Sequence, residues 1–378
     1  MPHEVLNRWL SEDEELRTTD AILCFELLRC IRARAAETGA HVLVRGALGS
    51  SFVAFVLGAT EVNPLRPHTL CPHCGRFEWA DDVRCGWDIP EKRCACGALP
   101  VRDGHDIPFE TLRTTAYRPW LELSVSHAGR KAVREAFRAF FADFPVVALR
   151  REAYPTLEIL VAADACEPAL ADGQILPFEA YGDALRHCPA VMLLPDADLD
   201  ALRRLEADTG ISCADASFAS PEVLEAVRAG RTQGVPELDS EQLRRALGSL
   251  PSLSFSDVVQ ALGLLRGTGA LPEDLPLSDA LAYRDDVFLR IQRRTEGCCS
   301  GFAYKVMHDA ARGVYARGGM SALLKKQLSS LGLDERFAAS LAEPRCLYPK
   351  AQGVQYARIA LLFLWYKLHF PACFQKVM

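Results

Sequence analysis

Apolar residues recur every three to four positions through residues 4–38, where Leu10, Leu16, Ile22, Leu23, Phe25, Leu27, Leu28 and Ile31 interleave with charges. That spacing gathers one face of a helix, and Thr19-Asp20 offers a cap before the second run, so two helices are predicted. The segment HVLV at 41–44 reads as a strand, and after a glycine-containing turn an apolar helix is predicted from Ser50 to Leu57. Residues 64–118 follow neither period and are rich in Pro, Gly, Cys and Asp. Such a stretch reads as an insertion held by something other than a hydrophobic core.

From residue 119 strand and helix patterns alternate: WLELSV, a helix over 128–143, VVALRR, LEILVAAD, AVMLLP, then a helix through Leu199 to Asp208. Alternation of this kind predicts a mixed α/β layer. Beyond Pro221 only helical periods remain, punctuated by caps such as Asp239-Ser240 and Ser254-Phe255-Ser256-Asp257. The expected division is therefore an α/β part over 1–66 and 106–212, an insertion over 67–105, and an all-helical domain over 213–378.

Composition adds bounds. A chain of 378 residues, 49% hydrophobic and 24% charged, has room for two or three ordinary globular domains. The opening MPHEVLNRWLSEDEE lacks the basic and apolar regions of a secretion signal. The apolar run Ile359 to Trp365 is flanked by Arg358, Lys367 and His369 and falls short of the roughly 20 residues of a membrane span, so a buried helix, no membrane association and a cytoplasmic location are expected. Net charge is −6, which weighs against a protein that grips duplex nucleic acid over its whole surface and leaves room only for a local basic groove.

Of the fourteen cysteines, Cys71, Cys74, Cys94 and Cys96 have metal-ligand spacing, as CPHC and CAC. Four thiolates make a closed structural zinc site with no open position for chemistry. Cys85 or His73 is the alternative for one ligand. Arg45-Gly46 and Gly49-Ser50-Ser51 place small residues and hydroxyls at a strand-to-helix turn, where backbone N–H groups can receive phosphate.

Taken together, RGALGSSFVAFVLGATEVNPLRPH, the two cysteine pairs and DGHDIPFE resemble the PolC-type alpha subunit of bacterial DNA polymerase III. GVPEL at 234–238, FSDVVQALGLLRGT at 255–268, YRDDV at 283–287, AYKVM at 303–307 and YPKAQGVQYA at 348–357 continue the resemblance, which runs with gaps from about residue 5 to 374. It covers the palm and fingers of that replication enzyme. The implied fold is a palm of the polymerase-beta nucleotidyltransferase type with a zinc-binding insertion, followed by all-α fingers.

The resemblance also marks what has changed. Where the family reads P-D-x-D, this chain has Pro119-Trp120-Leu121-Glu122, so the two metal-binding aspartates fall on Trp120 and Glu122, and the third falls on Met192. Two-metal phosphoryl transfer needs carboxylates that bridge both ions, and of these three positions only Glu122 keeps one. The family's His-Pro-Gly-Gly turn reads Tyr154-Pro155-Thr156-Leu157, and its YPKAH reads YPKAQ, which keeps Lys350 and puts Gln352 at the histidine position. Lys350 and Arg284 are the fingers cations expected to meet phosphate if any do.

Three readings compete at this level. One is a pseudo-polymerase retained to bind nucleic acid or a protein partner from a replication, mobile-element or defence system. The second is an active polymerase or nucleotidyltransferase using Mg²⁺ on Glu122 with non-family carboxylates such as Asp106, Asp196 or Asp198. The third is a zinc-stapled interaction module with no nucleic-acid role.

Overall fold

The computed structural model describes residues 2–18, 21–112, 121–163, 172–182, 185, 187–269, 271, 276–343 and 346–378. The expected cap at Thr19-Asp20 and the first aspartate position, Trp120, lie outside them. The chain forms two compact units, one of Met1–Glu61, Arg113–Asp215 and Ala372–Met378, the other of Val62–Leu112 and Ala216–Pro371.

The first unit is built on a six-stranded mixed sheet. Its strands are β1 (Val42–Val44), β5 (Leu121–Val125), β6 (Val146–Arg151), β7 (Tyr154–Ala162), β8 (Ile175–Pro177) and β9 (Ala190–Pro195), and they run in the order β1-β5-β9-β7-β6-β8. Strand β5 pairs in parallel with β9 and antiparallel with β1, with Leu121 opposite Val191 and Leu123 opposite Leu193. These four residues are almost fully buried. The pairing thus buries alternate residues of both strands, as a two-residue side-chain period requires. Helices α1 (His3–Thr18), α2 (Ala21–Glu37), α3 (Phe52–Val56), α4 (His127–Phe140), α5 (Phe178–Tyr181) and α6 (Ala197–Thr209) belong to the unit, as does the C-terminal helix Pro371–Val377 from Ala372 onward. Ser126 caps α4 by accepting the N–H of Gly129 at 3.1 Å, and Asp196 caps α6 by accepting that of Asp198 at 3.2 Å. The short strand β8 and helix α5 escaped the sequence pattern, because three or four residues carry no readable period.

The second unit joins the cysteine-rich segment to the helices. Residues 62–112 were expected to divide between the α/β part and a separate insertion; instead they pack as one body with the helical region. Their core explains why: Trp87 meets the rings of His105, Phe218 and Phe255 edge-on at centroid distances of 4.7, 5.0 and 4.7 Å. Aromatic contacts of this geometry add specific attraction to the burial itself. The segment is also not irregular throughout, since β2 (His68–Leu70) pairs antiparallel with β3 (Phe77–Trp79) and β4 (Val101–Asp103) in a small sheet. Helices α7 (Pro221–Arg228), α8 (Glu241–Gly248), α9 (Phe255–Thr268), α10 (Arg284–Arg294), α11 (Ser300–Ala311), α12 (Val314–Gly318), α13 (Ala322–Ser330), α14 (Glu335–Ala342) and α15 (Lys350–His369) follow. No strand occurs among the described residues of 213–378.

Ser254 and Asp257 form a reciprocal capping box at the start of α9, as the sequence suggests, and Ser240 caps α8. Helices α9 and α15 approach closely because each presents a glycine to Tyr283. A Cβ on Gly263 would lie 2.4 Å from the Tyr283 ring, and one on Gly353 would lie 2.1 Å from its hydroxyl oxygen. That fully buried hydroxyl donates to the Val259 carbonyl at 2.6 Å, so the ring has little freedom to move aside. Overpacking of this kind costs about 1–3 kcal/mol. Gly353→Ala is accordingly expected to lower the unfolding free energy measured in urea by an amount in that range, and an unchanged unfolding free energy would show that the helices do not meet through Tyr283.

Candidate functional site

Two tight turns carry the four cysteines. In the first, between β2 and β3, the N–H of Gly75 donates to the Cys71 carbonyl at 2.9 Å; in the second, the N–H of Gly97 donates to the Cys94 carbonyl at 2.8 Å. Both glycines have positive φ, +71° and +88°, which lets the chain double back behind each thiol pair. Cys71 Sγ stands 3.4 Å from Cys96 Sγ, Cys74 Sγ stands 3.6 Å from Cys94 Sγ, and all four sulfurs lie within 4.8 Å of one another. A tetrahedral ion with Zn–S bonds near 2.3 Å requires sulfurs about 3.8 Å apart, so the donor set fits such a metal. The backbone N–H of Cys74 holds the Cys71 thiol down at about 6, while the Cys74 and Cys96 thiols, which share hydrogen bonds with the neighbouring sulfurs, lie above the usual thiol range.

Neither alternative ligand joins this group. Cys85 is buried apart from it, accepting the N–H of Trp87 at 3.3 Å and facing His105 Nδ1 at 3.4 Å. Burial pushes the Cys85 thiol well up, and burial with the nearby Lys350 charge pushes the His105 imidazole down to about 3, so both are neutral core groups at pH 7. His73 lies in the first turn but is not among the converging donors.

The phosphate-cradle residues have other partners. Ser51 caps α3 by accepting the N–H of Ala54 at 3.1 Å, while its own hydroxyl donates to Glu12 Oε2 at 2.8 Å. The same Glu12 oxygen accepts the N–H of Val53 at 3.1 Å, and Arg8 pairs with Oε1. Glu12 has no exposed surface. A carboxylate of the chain therefore fills the place where the sequence pattern suggested a ligand phosphate. Ser50 donates to the Ala47 carbonyl, and Arg45 reaches Ser124 Oγ at 3.2 Å while its backbone N–H joins β1 to the Glu122 carbonyl at 2.8 Å. Gly46 has φ +74° and Gly49 is buried in the turn before α3. Glu12 was missed by sequence reading; the only trace it leaves is an Arg8 one helical turn before it.

The fingers cations are likewise engaged within their own unit. Lys350 Nζ donates to the His105 carbonyl at 2.6 Å, and Arg284 donates to the Thr111 carbonyl. Between them the buried Asp285 accepts the Thr111 hydroxyl at 2.8 Å and the backbone N–H of Lys350 at 2.7 Å, capping the first turn of α15. Gln352 is buried beside Tyr356, whose hydroxyl lies 3.5 Å from its amide nitrogen. Asp106 pairs with Arg293 at 3.1 Å.

Glu122 and Met192 are direct neighbours in the parallel β5–β9 ladder, and Met192 is opposite Ile159 on β7. Adjacent strands thus bring together the two described positions at which the resemblance puts family aspartates. Glu122 is half-buried, whereas Met192 packs onto an apolar cluster that includes Ile159, Val161 and Leu185. One carboxylate and one thioether side by side do not make the oxygen-rich octahedral environment that Mg²⁺ demands.

Comparison with known proteins agrees with this arrangement of a mixed sheet unit and a helical unit. A family profile for the bacterial DNA polymerase III alpha subunit finger domain matches residues 198–273. The PolC-type DNA polymerase III of Thermotoga petrophila is 26% identical over 415 residues, covering 87% of this chain and 30% of its own length. This chain resembles PolC. The PolC-type enzyme of Staphylococcus haemolyticus is 25% identical over 98% of this chain and 31% of its own length, and that of Listeria monocytogenes is 26% identical over 87% and 28%. The chain thus spans about 30% of the length of these PolC-type relatives. The finger profile begins at residue 198, inside α6, and so earlier than the boundary at 213 expected from the loss of strand periods. No helix among the described residues is long and apolar enough to cross a membrane.

Two measurements follow from this geometry. Cys74→Ser is expected to lower the bound zinc by one equivalent and to speed hydrogen exchange across 67–105, because ligand binding to such a site is coupled to folding; unchanged zinc content would remove the tetrathiolate assignment. Glu12→Ala leaves the Ser51 hydroxyl and the Val53 N–H without their buried acceptor, and a loss of about 3 kcal/mol in urea denaturation is expected. A loss below about 0.5 kcal/mol, the size of a typical surface change, would show that Glu12 does not organise the start of α3.

Proposed function

We propose that this chain is a catalytically inactive PolC-like palm and fingers, with a structural zinc ion on Cys71, Cys74, Cys94 and Cys96, that acts by binding nucleic acid or a replication, mobile-element or defence partner rather than by adding nucleotides. The observation that carries this reading is the β5–β9 pair: Glu122 stands beside Met192, and the partly buried Met192 packs against an apolar cluster. Phosphoryl transfer of the polymerase kind depends on positioning and on charge neutralisation by two metal ions. A single carboxylate removes most of that stabilisation at once. By the resemblance, Trp120 takes the place of a further ligand with a side chain that cannot bind Mg²⁺.

The internal use of Glu12 supports the same reading. The Ser51 hydroxyl and the Val53 N–H, donors that would orient a triphosphate at this turn, are satisfied by the chain's own carboxylate, so a nucleotide would have to displace it. Any nucleic-acid contact is expected through a local basic groove, in view of the net charge of −6.

Primer extension with Mg²⁺ and with Mn²⁺ decides between this reading and an active enzyme. We expect no incorporation above a protein-free control. Incorporation that disappears in Glu122→Ala would overturn the proposal and establish Glu122 as a metal ligand.

A further inference from the structure

We propose that His41, Glu206 and Cys213 form a second metal site, in the sheet unit, that binds a zinc-like divalent cation. His41 Nε2 stands 2.7 Å from Glu206 Oε2, and the imidazole nitrogen, carboxylate oxygen and Cys213 sulfur all lie within 4.8 Å of one another. The three residues come from separate segments: the residue before β1, the last turns of α6, and the loop that follows. Their convergence is therefore a product of the tertiary fold, not of a short sequence motif.

The backbone around the three ligands is tied down by further hydrogen bonds. The carbonyl of His41 accepts the N–H of Ser126, the cap of α4, at 3.3 Å. Arg203 donates to the Gly39 carbonyl at 3.1 Å, which fixes α6 against the turn that leads to His41. Gly210 ends α6 with φ +70°, a left-handed residue that turns the chain back. The returning backbone N–H of Cys213 then donates to Glu206 Oε1 at 2.8 Å and leaves Oε2 to face His41. Oriented carboxylates and outer hydrogen bonds of this kind are what tune metal ligands.

The donor chemistry selects the cation. Imidazole, thiolate and one carboxylate suit Zn²⁺ or Co²⁺, while Mg²⁺ and Ca²⁺ call for more oxygen donors. Three protein ligands leave one tetrahedral position, which water fills. Cys213 is buried and His41 and Glu206 are about a quarter exposed, so an ion can enter from solvent and still be enclosed on one side. Binding releases the thiol proton of Cys213 to solvent, and His41, whose Nε2–H faces Glu206 Oε2 in the metal-free arrangement, coordinates through Nε2 as the tautomer that carries its ring proton on Nδ1. The ion would clip the end of α6 to the start of β1.

Metal content of the full chain tests this. Protein stripped with a chelator, titrated with ZnCl₂ and desalted is expected to hold two equivalents in the wild type, one in Cys213→Ala and one in Cys74→Ser. Glu206→Gln, which keeps the hydrogen bonds to His41 and Cys213 and so guards against a folding defect, is expected to weaken the second equivalent at least tenfold. Loaded with Co²⁺, wild type minus Cys213→Ala should leave a weak single-thiolate charge-transfer band distinct from that of the tetrathiolate. One equivalent in the wild type, or two in both Cys213→Ala and Glu206→Gln, would overturn the proposal.

Discussion

A carboxylate without exposed surface must be neutralised where it sits, and in the sheet unit Glu12 imposes that requirement on everything around it. The Arg8 guanidinium, the Ser51 hydroxyl and the Val53 N–H converge on its two oxygens. Because unpaired N–H groups and the helix dipole both favour negative charge at a helix start, the carboxylate on α1 fixes where α3 begins. It also fixes the course of the Gly46–Ser51 turn. The turn that resembles a phosphate cradle is, in this chain, a joint between two helices.

The same device recurs in the helical unit. Asp285 caps α15 while holding Thr111, and Asp88 accepts the N–H groups of Phe255 and Ser256 at 2.6 and 3.2 Å where α9 begins. In each case a carboxylate from a distant segment supplies the negative charge that an anionic ligand could otherwise offer. Asp88 and Thr111 both belong to the cysteine-rich segment and its return, so these caps also bind that segment to the helices. The four cysteines converge where the outer turns meet, and the Trp87 cluster holds the inner end.

Much of this was legible in the sequence, for physical reasons that differ from element to element. The helices of the second unit have regular apolar spacing and strong caps, so Ser254 and Asp257 mark the start of α9 without ambiguity. The four cysteines announced themselves by spacing, and the turns that carry them need only local geometry. Glu122 and Met192 were singled out by the resemblance, not by any pattern in β5 or β9, and their side-by-side pairing is visible only in the fold. What sequence could not reveal was long-range pairing: Glu12 looks like any polar residue of an acidic helix, and nothing in residues 62–112 says which unit their aromatic residues will join. His41, Glu206 and Cys213 are separated by too much chain for spacing to signal them.

The central proposal is that the strand pair β5–β9 does not hold catalytic metal. Crystals grown with Mn²⁺ and a non-hydrolysable deoxynucleoside triphosphate, with data collected at the manganese absorption edge, test it most directly. The account predicts no anomalous peak within bonding distance of Glu122 and Glu12 still bound to Ser51 and Val53; a manganese ion on Glu122 bridging to nucleotide phosphate would contradict it.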